Sequence, residues 1–132
     1  MPILEYFLVA DSVSTDRKRN TVSVFHILEE WAAQLPFVIP NLVAVSSWKM
    51  EEADRDRDFQ VALDIQLPGQ QESLDFEILP VNFTGESARH RTYHFVRGLR
   101  IEEAGDVVFE ICINGRPAAK HVLWVRGPVG NE

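Results

Sequence analysis

Phe59-Gln60-Val61-Ala62-Leu63-Asp64-Ile65-Gln66-Leu67 decides the class of fold. Apolar side chains stand at every second position and polar or small ones between them, the period of a strand whose faces alternate between core and water. Pro68-Gly69 follows. Proline presets φ and glycine accepts the positive φ of a type II turn, so the chain reverses there. Alternation resumes at Leu74, Phe76 and Ile78 against Asp75 and Glu77, which makes this segment the return strand of a meander.

A second hairpin lies towards the C-terminus. Val107, Phe109, Ile111 and Ile113 alternate with Val108, Glu110, Cys112 and Asn114, then run into Asn114-Gly115, a pair that tolerates positive φ and suits a type I′ turn. Ala118 to Val125 is the partner strand, with Leu123 and Val125 facing the core. Pro117 lacks an N–H, so the strand either begins after it or is at a sheet edge there. Upstream, Leu4 to Ala10, Thr21 to Leu28 and Leu42 to Trp48 carry β-branched and aromatic residues at both parities, as in strands covered on both sides. The polar stretch Asp11 to Asn20 reads as a solvated turn. The one helix expected is Glu29 to Gln34, a turn or two cut short by Pro36 and Pro40, with Leu35 to Pro40 extended or turning. With Tyr93 to Ile101, about eight short strands emerge. Their spacing predicts an all-β fold: a single antiparallel β-sandwich, Greek key or jelly roll, formed by residues 1–132 as one domain.

Two segments carry a resemblance. LEYFLVADSVSTDRKRNTVSVFHILEEW (residues 4–31) and PFVIPNLVAVSSW (residues 36–48) resemble a bacterial family of small cytoplasmic domains of unknown function. The ordered features are the strand ending at Ala10, the turn with Asp16 and Asn20, the Ser23-Val24-Phe25 strand, and Pro36-Phe37 leading to a second run of valines. The resemblance implies a compact β-sandwich and brings no catalytic residue with it.

Composition narrows the function classes. The 132 residues are 45% hydrophobic, 10% aromatic and 25% charged, and a chain of that size buries a core without metal or disulfide. Thirteen basic against 20 acidic residues leave a net charge of -7, which opposes general attraction to nucleic acid or an anionic membrane. The single cysteine, Cys112, has no intrachain partner and fits a reducing cytoplasm. Glu5 inside the first apolar run, with no basic residue before it, argues against a signal peptide, and no apolar run reaches the ~20 residues of a membrane span.

No catalytic set assembles from spacing. His26, His90, His94 and His121 lack a chelating pattern: on a strand His90 and His94 stand about 13 Å apart. Asp54-Arg55-Asp56-Arg57-Asp58 imitates the start of a calcium loop, but Phe59 replaces the glycine and Ile65 the bidentate glutamate, leaving a solvated turn. Asp75 and Glu77 share a strand face, as most wet faces provide. Gly85 to Arg89 lacks the second glycine of a nucleophile elbow. Neither cofactor nor metal is expected.

The unusual segment is Ser87 to Arg100. It holds Arg89, Arg91, Arg97 and Arg100 with His90 and His94 and no acidic residue, inside an acidic protein. Arg89, Arg91, Tyr93, His94 and Arg97 are the candidate binding residues, for an anion or a protein partner. The structural alternative pairs these arginines with Glu102, Glu103, Asp106 or the Asp54 to Asp58 turn. Trp31, Trp48 and Trp124 are expected in the core, or else in a self-association patch. The function expected is a non-enzymatic binding or assembly module acting on another protein or its own copy. A small-molecule or carbohydrate-binding sandwich is the alternative.

Overall fold

In a computed structural model describing residues 1–127, the period-2 stretch is a strand of the expected register. Phe59, Val61, Leu63 and Ile65 are buried while the residues between them are half-buried or exposed. It is one of ten strands: β1 (Ile3–Asp16), β2 (Thr21–Ile27), β3 (Glu30–Ala32), β4 (Phe37–Lys49), β5 (Asp58–Gln66), β6 (Leu74–Asp75), β7 (Leu79–Asn82), β8 (Arg89–Ile101), β9 (Gly105–Ile113) and β10 (Arg116–Arg126). One turn of 3₁₀ helix, Glu52–Asp54, is the only helical segment among the described residues.

The strands form two sheets. One has the order β2-β1-β4-β8. The other runs β3-β10-β9-β5-β6, with β7 also paired to β5. Both sheets contribute to one apolar core: Phe7, Val9, Ala44, Trp48 and Val96 from the first, Val61, Leu63, Ile65, Phe109, Ile111 and Leu123 from the second. Burial of this alternating set is what removes apolar surface from water and offsets the ordering of the chain.

Turn chemistry sets the registers. Gly69 has φ +77° and the Gln70 N–H donates to the Leu67 carbonyl at 3.2 Å, the turn expected after Pro68. Asn114 and Gly115 have φ +48° and +78° between β9 and β10. That turn is also held sideways to β5: the Asn114 N–H donates to Gln60 O at 2.8 Å and its Oδ1 accepts from the Gln60 N–H at 2.9 Å. Pro117 sits next to a bulge in β10, at a point where β3 does not reach, so its missing N–H faces an open edge.

Five expectations change. There are ten strands, not eight, and they are not all antiparallel, because β3 pairs parallel to β10. Glu29 to Gln34 is not helical: Trp124 N–H donates to Glu29 O at 2.9 Å, and Glu30 to Ala32 pair along β10, so a tertiary partner takes the backbone groups a helix would use. The supposed turn from Asp11 begins at Arg17, since β1 continues to Asp16. The return strand after Gly69 pairs with β5 only over Leu74 and Asp75 before breaking off, which leaves Leu74 41% and Ile78 57% exposed. Asp54 is not solvated: its carboxylate is buried, accepting from the Glu51 N–H at 2.8 Å and lying 2.8 Å from the Met1 ammonium.

Of the tryptophans, Trp48 is buried and Trp31 packs half-buried against Phe37, but Trp124 is 49% exposed with the Arg126 guanidinium over its ring. Replacing a fully buried leucine at the centre of this core is costly. Leu63→Ala is expected to lower unfolding free energy by about 2–5 kcal/mol in urea titrations, whereas Gln60→Ala on the exposed face stays within about 0.5 kcal/mol.

Candidate functional site

Strand β8 carries the basic segment, and strand geometry sorts its side chains. Thr92, His94 and Val96 are buried; Arg89, Phe95 and Arg97 are exposed and Arg91 and Tyr93 half-exposed. Arg89, Arg91, Tyr93 and Arg97 therefore share the outer face of the four-stranded sheet, and His94 points the other way. The five candidates are not one site. Register extends the outer face across the sheet: Phe95 stands beside Val43, Val43 beside Ala10, and Ala10 beside Ile27, while Tyr93 stands beside Val45 and Val45 beside Leu8.

This outer face is itself apolar at its centre. Ala10, Val43, Val45 and Ser47 are at most 2% exposed, yet none belongs to the main core cluster. Their cover comes from the β1–β2 hairpin. β1 pairs with β4 from Ile3 to Ala10 and with β2 from Ala10 to Asp16, so beyond Ala10 it is a two-stranded arm. Arg91 lies in register with Ser47 and Tyr6. A straight β1 would carry Asp16 roughly 33 Å past Tyr6 at ~3.3 Å per residue. Instead the arm's tip meets Arg91: its Nη2 donates to Asn20 Oδ1 at 2.8 Å and its Nη1 to Asn20 O at 3.4 Å. The arm has folded back over the sheet. Val13, Val22 and Val24 are its half-buried residues, alternating with exposed Ser12, Ser14, Ser23 and Phe25.

Each arginine has a distinct setting. Arg89 holds Glu5 through two bonds of 2.6 and 3.2 Å, which keeps the Glu5 carboxyl below its usual range. Arg91 donates to the Tyr93 hydroxyl at 3.1 Å besides anchoring the arm. Arg100 pairs with Glu102. Arg97 has no ion pair or side-chain hydrogen bond among the described residues and is exposed. Next to it Phe95 is 68% exposed and stacks on Tyr93, ring centroids 6.4 Å apart and 23° from parallel. A depression of about 240 Å³ between Asp11, Ser12, Asn41, Phe95 and Arg97 opens at the arm's root. A free guanidinium beside stacked rings can take an acidic side chain and an apolar one together.

The histidines are dispersed. His26 is on the arm beside Asp11, His121 faces the Leu28 carbonyl, and His90 and His94 each contact the backbone of the segment containing β7. His94 is buried, with Nε2 2.8 Å from the Glu77 carbonyl and Nδ1 unpartnered. That is the arrangement of a neutral ring donating from Nε2. Burial pushes its pKa below the usual histidine value, only partly opposed by the Glu77 carbonyl bond.

A second cluster, on the outer face of the other sheet, was not visible in sequence spacing. Asp64, Glu110 and Cys112 place an oxygen or sulfur each within 4.8 Å of one another, because β5 and β9 bring Asp64 opposite Glu110. Lys120 is 3.8 Å from Glu110, and a shallow depression of about 330 Å³ includes all but the cysteine. Burial, then the hydrogen bond and charge of Asp75, then Glu110, push Asp64 upward; burial and Glu110 also raise the Cys112 thiol. A raised thiol remains protonated at neutral pH, which makes it a poor nucleophile.

Against known proteins, residues 5–126 match the model of a family described as a family of unknown function, DUF6941. No curated protein matches the chain. Two titrations test the electrostatics. Because the folded pKa of His94 is below its unfolded value near 6.5, stability is complete above that pH and falls as pH drops through the folded pKa. His94→Phe is expected to flatten the limb of the urea midpoint below pH 6.5 relative to wild type. Asp64 is shifted the opposite way, so its ionisation costs stability as pH rises. Asp64→Asn should raise the urea midpoint at pH 7, an advantage that vanishes below pH 3.8, the ordinary value for aspartate.

Proposed function

The chain belongs to DUF6941, a family of unknown function, and we propose that it serves as a small, non-enzymatic, cytoplasmic protein-binding module whose two sheets pack face to face as a β-sandwich. The observation that carries this reading is Phe95, 68% exposed on a sheet face whose central apolar residues Ala10, Val43 and Val45 are covered. An aromatic ring left outside that cover, stiffened by stacking on Tyr93 and neighboured by an unpaired arginine, has the composition of an interface anchor. Tyr93, Phe95 and Arg97 are the contact residues of this reading. Arg89 and Arg91 serve the fold, one through Glu5 and the other through the arm.

Other features support it less directly. Among the described residues no helix is long and apolar enough to cross a membrane. The single cysteine, which has no partner for an intrachain disulfide, suits a reducing compartment. The preference for a protein over nucleic acid rests on the net charge of -7.

The test uses the full chain as bait in extracts of its source cells. Phe95→Ser and Arg97→Glu are both surface changes, so circular dichroism and the urea midpoint are expected to stay at wild-type values. A retained protein partner should lose at least about 30-fold in affinity with Phe95→Ser, the fold-change equivalent of a 2 kcal/mol anchor. Partner affinity unmoved by both variants overturns the assignment, as does saturable carbohydrate or small-molecule binding at the Asp64–Glu110–Lys120 depression with no protein retained.

A further inference from the structure

Among the described residues five strands lie at sheet edges, and four of them are protected. β3, β6 and β7 are only three, two and four residues long, and β7 contains Pro80. β8 is long but is lined with arginines, kinked at Gly98 (φ +66°), and flanked over its first half by the chain itself, where Asn82 meets His90 and Glu77 meets His94. Short strands, charge and kinks are the devices by which proteins prevent an open edge from pairing with another chain. The fifth, β2, has none of them over Thr21–Phe25. Thr21-Val22-Ser23-Val24-Phe25 contains no charge, proline or glycine, is rich in β-branched residues, and pairs on one side only, with β1. Its other side offers unpaired backbone N–H and C=O groups, with Phe25 46% and Ile27 42% exposed next to them. His26, at φ +57°, ends the straight part of the strand.

We propose that the β2 edge is a self-association site, occupied by the β2 strand of a second copy of this chain, antiparallel across a two-fold axis. The charge pattern selects this occupant and this direction. Arg17, Lys18 and Arg19 precede the strand and Glu29 follows it, all exposed, whereas Glu30 is already in β3 and paired with Arg126. Antiparallel pairing of two copies lays the basic tip of each arm beside the acidic end of the other; parallel pairing would set like charges together. A two-fold centred on Ser23 faces Thr21 with the partner's Phe25 and Val22 with the partner's Val24, so β-branched residues meet across the axis and no like charges are opposed. The arrangement is isologous and closes on itself, giving a dimer rather than a fibre. The four-stranded sheet becomes continuous through the pair. A five-residue strand buries less than the ~1,000 Å² of a tight interface, so the dimer is concentration-dependent.

This site is separate from the Phe95 contact and does not depend on it. Sedimentation equilibrium of the full chain over a concentration series is the test. The wild-type chain should dimerise reversibly. Ser23→Lys, an exposed position, should raise the dimer dissociation constant at least tenfold with an unchanged urea midpoint, because two lysines then meet at the axis. Lys18→Glu/Arg19→Glu should weaken it likewise, and adding Glu29→Lys should restore it. In a Cys112→Ala background, Ser23→Cys should form an intermolecular disulfide under mild oxidation, which identifies the strand. Phe95→Ser should leave the dimer unaltered. A chain that is monomeric throughout, or a dimer indifferent to Ser23→Lys and to the charge reversals, overturns the β2 assignment while leaving the Phe95 reading in place.

Discussion

Strand β4 is apolar on both faces, and that single fact organises the molecule. Leu42, Ala44 and Trp48 face the core shared by the two sheets; Val43 and Val45 face the opposite way and are just as completely buried. A strand of that kind needs cover on both sides, since each valine left in water forfeits on the order of 1.5–3 kcal/mol. The second cover is the arm. β1 leaves β4 at Ala10, continues to Asp16, and returns as β2 with its tip tied to Arg91. Two consequences follow from geometry. β2 becomes a sheet edge with no strand paired to its far side among the described residues, and the cover stops short of Phe95.

Much of this was legible residue by residue. The alternation from Phe59 to Leu67 gave β5 its inward face, Pro68-Gly69 and Asn114-Gly115 gave the turns, and the double parity of Leu42 to Trp48 signalled a strand covered on both sides. What failed did so where backbone groups found partners remote in sequence. Glu30 to Ala32 is a strand only because β10 offers its edge, and Leu74, Phe76 and Ile78 alternate correctly along a segment that pairs with β5 over Leu74 and Asp75, breaks away, and rejoins it at Leu79 as β7. The back-folded arm left no local signal either. Asp11 to Asn20 reads as a polar loop because its serines and charges are the exposed half of a hairpin.

The candidate site was half readable for a related reason. Period 2 alone places Arg89, Arg91, Tyr93 and Arg97 on one face of β8 and His94 on the other, so the grouping of all five mixed two environments. Nothing in spacing shows which arginine is already occupied. That depends on Glu5 and Asn20, which are distant in sequence and brought near by the sheet and the arm. The Asp64–Glu110–Cys112 cluster was equally invisible, since it exists only through the pairing of β5 with β9.

The arm's position over the outer face is the claim on which both surfaces rest, and a spin label reads it directly. With a nitroxide on Lys18→Cys in a Cys112→Ala background, at concentrations where the chain is monomeric, paramagnetic relaxation should broaden the amide signals of Ser47, Arg91 and Tyr93. Broadening confined to β1 and β2, with those three amides untouched, would mean that the hairpin extends away from the sheet and would contradict the account.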